Sequence, residues 1–351
     1  MDLVTILFAI FSSLLFSFGL TAPTIFLANK FNLVDDKSKR IHPANTHVGI
    51  IPRAGGLPIF LAILLGVLIF IPLNKIVIGI LIGGFLIVIM GLLDDYYDLS
   101  PILRFFLNFL IAIIVVSFGL GVPYISNPFG GVIHLDNIIW SINFFGMHKF
   151  YLIANIFSII WIVAIMNFVN WSKGVDGQLP GFVAISAFFL GILAYRFTVY
   201  NISTENVAIL SFIITGAFLG FLPWNFYPQK IMPGYGGGAL GGFLLAVLSI
   251  LSFGKLGTMI LVLSVPIIDA IYVIIRRLKN KRSPFKGDAG HFHHRLLSLG
   301  WGKRRIAFFY WFCSAIFGLS AIYLQGVGKI VVLLLVGLSM GIFIYRTSRD
   351  K

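Results

Sequence analysis

Residues 76–98 read IVIGILIGGFLIVIMGLLDDYYD, an unbroken apolar run from Ile76 to Leu93 closed by Asp94 and Asp95, with Asp98 three positions further on. As a helix, such a run is about 27 Å long, close to the thickness of a hydrocarbon core. The carboxylates therefore fall at the mouth of a membrane span. Clustered negative charge there needs a divalent cation, a lysine or arginine, or protonation to neutralise it.

Working outward, the pattern repeats. Of 351 residues, 59% are hydrophobic and 11% charged, too little polar surface to coat a water-soluble domain. Apolar runs at roughly 3–27, 50–71, 76–93, 102–121, 151–169, 180–195, 205–223, 235–253, 257–275, 306–323 and 329–345 give about eleven spans, several of them short or interrupted by proline or glycine. The expected fold is an all-α polytopic membrane protein forming one integral domain over 1–351. Asp2, and no cationic stretch, precedes the first run, which is expected to stay as a span. Cys313, the single cysteine, excludes an intrachain disulfide framework and a cysteine-based metal cluster.

The formal charge of +14 would suggest nucleic acid in a soluble protein. With eleven spans, however, 21 of the 26 lysines and arginines fall on one side, leaving Lys75, Lys149, Arg196, Lys255 and Lys329 for the other. That distribution points to anionic lipid and phosphate-bearing ligands, puts the basic side in the cytoplasm, and places the N-terminus outside and the C-terminus inside. Asp94, Asp95, Asp98, Asp176, Asp288, His291, His293 and His294 share the basic side. The opposite loop, 122–150, reads as turns with a short strand near Val132–Leu135 and a structural role. Because the polar groups gather at one face and do not run through the membrane, a transporter or channel is disfavoured.

Four further stretches carry candidate chemistry. Asn167 and Asn170 lie one helical turn apart, before Lys173, Gly174, Asp176 and Gly177, a pattern that offers amides and tight turns to a phosphate or sugar. Gly234, Gly236, Gly237, Gly238, Gly241 and Gly242 serve either close helix packing, within the chain or in a homodimer, or close ligand approach. Asp269, inside a span, supports either a ligand site or an interhelix bond. Between Arg276 and Arg305 lie ten basic residues around His291, His293 and His294, with 291 and 294 expected on one helical face and 293 turned away unless the backbone turns. Arg282, Lys286 and Arg295 favour phosphate recognition there over a metal or a plain solvated loop. At the amino end Arg40, His42 and Arg53 surround the second span. Arg53 can reach a lipid phosphate, and Arg104 can do the same or pair with the acids.

These pieces, in this order, resemble the polyprenyl-phosphate N-acetylhexosamine-1-phosphate transferases: Asp35 to Arg40, His42 and Gly55-Gly56; Gly91 to Asp98; Asn167 to Gly177; and Ser283 to Asp288 with His291, His293, His294 and Arg295. Asp98 and the histidine-rich loop look more like the branch using UDP-N-acetylglucosamine than the one using the peptidoglycan pentapeptide nucleotide. The resemblance implies transfer of hexosamine 1-phosphate from a UDP-sugar to undecaprenyl phosphate at the cytoplasmic face of a bacterial inner membrane, with Mg²⁺ or Mn²⁺. It implies catalytic roles for Asp94, Asp95 and Asp98, metal contacts from Asp94, Asp95 and Asp176, and substrate contacts from Arg40, His42, Arg53, Arg104, Asn167, Asn170, Asp176, Arg282, Asp288, His291, His293, His294 and Arg295.

Two positions depart from that pattern. Gly234 stands where the family carries a metal-binding aspartate, and Lys173 where it carries the first aspartate of Asp-Gly-x-Asp-Gly. Together they shift the local charge by about three units. The readings this leaves are an altered transferase in which Lys173 takes over part of the metal's shielding, a catalytically impaired protein that binds substrate or assembles others, and a changed phosphotransfer specificity.

Overall fold

The computed structural model describes residues 2–36, 46, 49–127, 129–143, 147–198, 203–252, 256–284 and 289–349. In chain order it forms α1 (Leu3–Lys30), β1 (Val34–Asp36), β2 (Ile50–Pro52), α2 (Gly56–Phe70), α3 (Lys75–Tyr97), α4 (Pro101–Ser117), β3 (Tyr124–Ser126), β4 (Val132–His134), β5 (Ile139–Asn143) and β6 (Met147–Tyr151). There follow α5 (Leu152–Trp171), α6 (Gln178–Phe197), α7 (Ser203–Asn225), α8 (Gly234–Leu251), α9 (Leu256–Val262), α10 (Ser264–Lys279), α11 (Phe292–Ser298), α12 (Lys303–Tyr323) and α13 (Val327–Arg349). The strands pair as three antiparallel hairpins, β1 with β2, β3 with β4 and β5 with β6.

The helices are multi-pass in length and composition. Among the described residues eight are long and apolar enough to cross a membrane, nine if α9 and α10, bent by 81° at their junction, form one span. Two of the eleven expected runs, α2 and α4, form apolar helices of only 15 and 17 residues. The run beginning at residue 50 spends Ile50–Pro52 on a strand, where Asp35 pairs with Ile51. The run beginning at 102 stops at Ser117, before Gly119 turns the chain at φ +100°. Apolarity alone does not distinguish helix from strand in such short pieces.

Helix α8 is the axis of the bundle. All but its last residue are buried, and α2, α3, α5, α6 and α7 pack around it. Its glycines let backbones meet: a Cβ on Gly242 would lie 2.6 Å from the Ile165 carbonyl oxygen and from the Met166 Cα on α5, and one on Gly56 would lie 2.6 Å from the Gly237 nitrogen. Intrachain packing thus accounts for these glycines, and α8 keeps no face for a second copy. On the periphery α13 and α1 expose Leu334, Leu335, Leu338, Phe8 and Phe11, as lipid-facing helices do.

The connections give the bundle two unlike ends. At one lie the β3–β4 and β5–β6 hairpins, including the expected strand near Val132 and an exposed His134–Asp136 pair at 3.3 Å. At the other, Met232 N–H donates to the Pro52 carbonyl at 2.7 Å and Gly55 N–H to the Met232 carbonyl at 3.1 Å, tying the start of α2 to the start of α8. Replacing Gly242 with valine should push α8 off α5 and lower stability by about 1–3 kcal/mol. Thermal unfolding in detergent would register it, with Gly341→Val, at a site with open space, as the silent control.

Candidate active site

The site begins where α3 ends. Asp98 adopts a left-handed conformation (φ 53°), its N–H donating to the Asp94 carbonyl, and the chain restarts one turn later at Ser100, whose hydroxyl accepts from Leu103 N–H at 3.2 Å. This reversal brings Arg104, in the first turn of α4, over the buried end of α3. Its Nη1 donates to both oxygens of Asp94 at 3.1 Å. Asp98 itself is exposed and lies outside the buried pair.

From the β2–α2 junction Arg53 spans the cluster, with Nε 2.9 Å from Asp95 Oδ1, Nη2 3.7 Å from Asp94 Oδ2 and Nη1 4.0 Å from Asp35 Oδ2. Lys173, from the α5–α6 loop, donates from Nζ to the Gly234 carbonyl at 2.6 Å. The Tyr235 ring lies between Arg104 (5.1 Å) and Lys173 (5.7 Å), and its hydroxyl is held by Asn108 at 2.9 Å. The Asp94 side chain is wholly buried whereas those of Arg53 and Arg104 are 13% and 24% exposed. Acids therefore form the floor and cations the rim, the polarity that receives an anion.

Burial, then the neighbouring Arg53, push the Lys173 ammonium down from the ordinary lysine value to about 7, while Asp95 and Asp94 pull the other way. An anion seated beside Nζ favours its charged form.

A second group lies against the first. Asp269 on α10 accepts from Phe292 N–H at 2.7 Å through Oδ1, and its Oδ2 lies 2.9 Å from His291 Nδ1. His291 is extended (φ −68°, ψ 157°) and precedes α11, so residues 291 and 293, two apart, come to the same side. Their rings are parallel at 5.7 Å, and the imidazole of His293 packs where a Cβ on Gly174 would stand. The backbone turn at His291 is what brings 293 beside 291. Burial, reinforced by His294 and His291, holds His293 well below the usual histidine value, so it is neutral at pH 7. The histidine loop thus docks on the loop that carries Lys173.

Other candidates fall elsewhere. Asn167 donates back to the Val163 carbonyl of its own helix at 2.7 Å, whereas Asn170 keeps a buried Oδ1 with no hydrogen-bond partner, against Gly238. The two amides do not converge on one ligand. Arg295 donates to the Tyr272 hydroxyl at 2.9 Å. Arg282 lines a cavity of about 290 Å³ with Arg276, Arg277, Asn280, Ala289 and Gly290. Arg40, His42 and Asp288 lie outside the described residues.

Asp176 is held apart from the buried acid pair. Its carboxylate takes the Lys303 ammonium at 3.0 Å and the Gln229 N–H at 3.2 Å, lacing the α5–α6 loop to α12 and the end of α7. Around Arg53, meanwhile, Asp35, Asp94 and Asp95 gather, and Asp94 and Asp95 are each held by a guanidinium.

Sequence reasoning passed over Asn108, Tyr235 and Lys303, and named Asp35 only within a stretch of the family pattern. Asn108 alone left a signal, one turn beyond Arg104 on the same face of α4.

The fold and site define a polytopic membrane protein with an anion-receiving pocket at one end of its helices. Residues 77–253, from α3 to just past α8, match the model described as glycosyl transferase family 4. The probable undecaprenyl-phosphate N-acetylglucosaminyl 1-phosphate transferase of Bacillus subtilis (strain 168) is 33% identical over 308 residues, 85% of this chain and 79% of that protein. The decaprenyl-phosphate N-acetylglucosaminephosphotransferase of Mycobacterium tuberculosis (strain ATCC 25618 / H37Rv) is 29% identical over 319 residues, 82% and 74% of the two chains. A phospho-N-acetylmuramoyl-pentapeptide-transferase from Oceanobacillus iheyensis is 32% identical over 185 residues, 52% of this chain and 53% of that one. The chain belongs to glycosyl transferase family 4.

Asp269→Ala should leave the His291 ring and the Phe292 N–H without their acceptor, at about 1–3 kcal/mol each. A fall in melting temperature, with faster hydrogen exchange confined to α11 and its flanks, would record it.

Proposed function

We propose that this chain transfers N-acetylhexosamine 1-phosphate, with N-acetylglucosamine as the sugar, from its UDP-activated form to undecaprenyl or another polyprenyl phosphate, releasing UMP. One observation carries the reading: buried acids and partly exposed cations from α3, α4, the β2–α2 junction and the α5–α6 loop meet at the end of apolar helices, where a lipid phosphate and a sugar nucleotide can both reach. The relatives matched over most of their length, named for N-acetylglucosamine transfer, support that sugar over the muramoyl pentapeptide, whose relative matches about half the chain.

In this reaction an oxygen of the lipid phosphate attacks the sugar-bearing phosphorus in line. The bond from that phosphorus to the bridging oxygen breaks, and UMP leaves with the oxygen and the electron pair. A lipid phosphate is largely ionised near pH 7, so no strong general base is needed. What the reaction needs is positive charge fixed beforehand, because both reactants are anionic. Arg53 and Arg104 supply it, held in place by Asp95 and Asp94. The neutral imidazole of His293 and its neighbours His291 and His294 border the nucleotide side.

The same reading puts the pocket at the cytoplasmic face of a bacterial inner membrane, with the N-terminus outside and eleven crossings if α2, α4 and the bent α9–α10 pair each traverse the bilayer. Anionic lipids suit its basic loops. Purified protein in nanodiscs, given UDP-N-acetylglucosamine and polyprenyl phosphate, should release UMP. Asp95→Asn, which removes the charge paired with the Arg53 guanidinium, should cut that release by about a hundredfold or more. No UMP above an empty-disc control across several UDP-hexosamines would end the proposal.

A further inference from the structure

This inference rests on the transferase reading and concerns what shields the diphosphate. Lys173 reaches from the α5–α6 loop to the first turn of α8, and its bond to the Gly234 carbonyl is the one hydrogen bond it makes among the described residues. An ammonium has three donors, so two are left. Gly234 sits at φ +66°, and a Cβ there would collide with the Arg53 carbonyl oxygen and the Asp95 carboxylate. That turn therefore has no room for a side chain, a metal-binding carboxylate included. The two buried acids it faces each already hold a guanidinium, Asp94 that of Arg104 and Asp95 that of Arg53. A divalent ion would have to displace one of them. A phosphate, by contrast, meets rim cations with donors to spare.

We propose that the Lys173 ammonium, anchored on the α8 turn, binds the diphosphate of the sugar nucleotide directly and shields it in place of a divalent ion. Lysine serves this role as a point charge, needing no fixed coordination geometry. Arg104, which also lies against the Tyr235 ring, is a second cation beside this position.

The test is calorimetric binding of UDP to the full chain in nanodiscs, once with EDTA and once with Mg²⁺. The wild type should bind UDP in EDTA within about threefold of its affinity in Mg²⁺, and Lys173→Met should weaken binding in EDTA by about tenfold to a hundredfold, with Lys173→Arg keeping most of it. Wild-type binding that is absent, or at least about tenfold tighter with Mg²⁺, overturns the proposal, and so does a folded Lys173→Met protein that binds UDP normally in EDTA. The wild-type comparison decides even if that variant fails to fold. Metal-free UDP binding without UMP release would remove the transferase reading and leave this one standing. UMP release that requires Mg²⁺ would do the reverse.

Discussion

A carboxylate at the buried end of an apolar helix cannot stay ionised without a partner, and the functional half of this molecule is built around meeting that demand. Arg53 answers it for three acids at once, bridging Asp35 on the β1–β2 hairpin to Asp94 and Asp95 on α3. Because its guanidinium comes from the residue that leads into α2, one side chain fixes how the hairpin, α2 and α3 meet. Arg104 does the same for α4 and Lys173 for the α5–α6 loop. The site is thus also the joint at which separate helices are locked together, and removing either partner of a buried pair disturbs charge and architecture together.

Helix α8 supplies the complementary constraint. Its glycines draw α2, α3 and α5 close enough that their ends converge around Gly234 and Tyr235. Bulkier residues would hold those helices apart and spread the charges beyond hydrogen-bond reach. Packing in the apolar layer therefore sets the spacing of the polar one. The Asp269 pair repeats the device on a smaller scale: one buried acid on α10 pins the histidine loop, which then rests on Gly174 beside Lys173.

Much of this was legible in the sequence because hydrocarbon leaves few options. An unbroken apolar run ending in two acids can only place them at a membrane mouth, and Arg104 was within one loop of them. Less legible was everything decided by how loops fold onto one another. Asp176 looked like a member of the acid group, yet its partner is Lys303, 127 residues away. The extended backbone at His291 put residues 291 and 293 side by side where helical spacing would have separated them. Lys173 and Gly234, each odd when taken singly, make sense only as a contacting pair 61 residues apart.

The brevity of α4 bears on how a lipid is received. At 17 residues it rises about 26 Å, a few ångströms short of a typical hydrocarbon slab, and it presents Ile102, Phe106 and Ile113 outward. Hydrophobic mismatch of that size is met by local thinning of the leaflet or by drawing headgroups inward, at fractions of a kcal/mol per ångström. Where α4 spans the bilayer, either adjustment draws lipid phosphates toward Arg104 in its first turn.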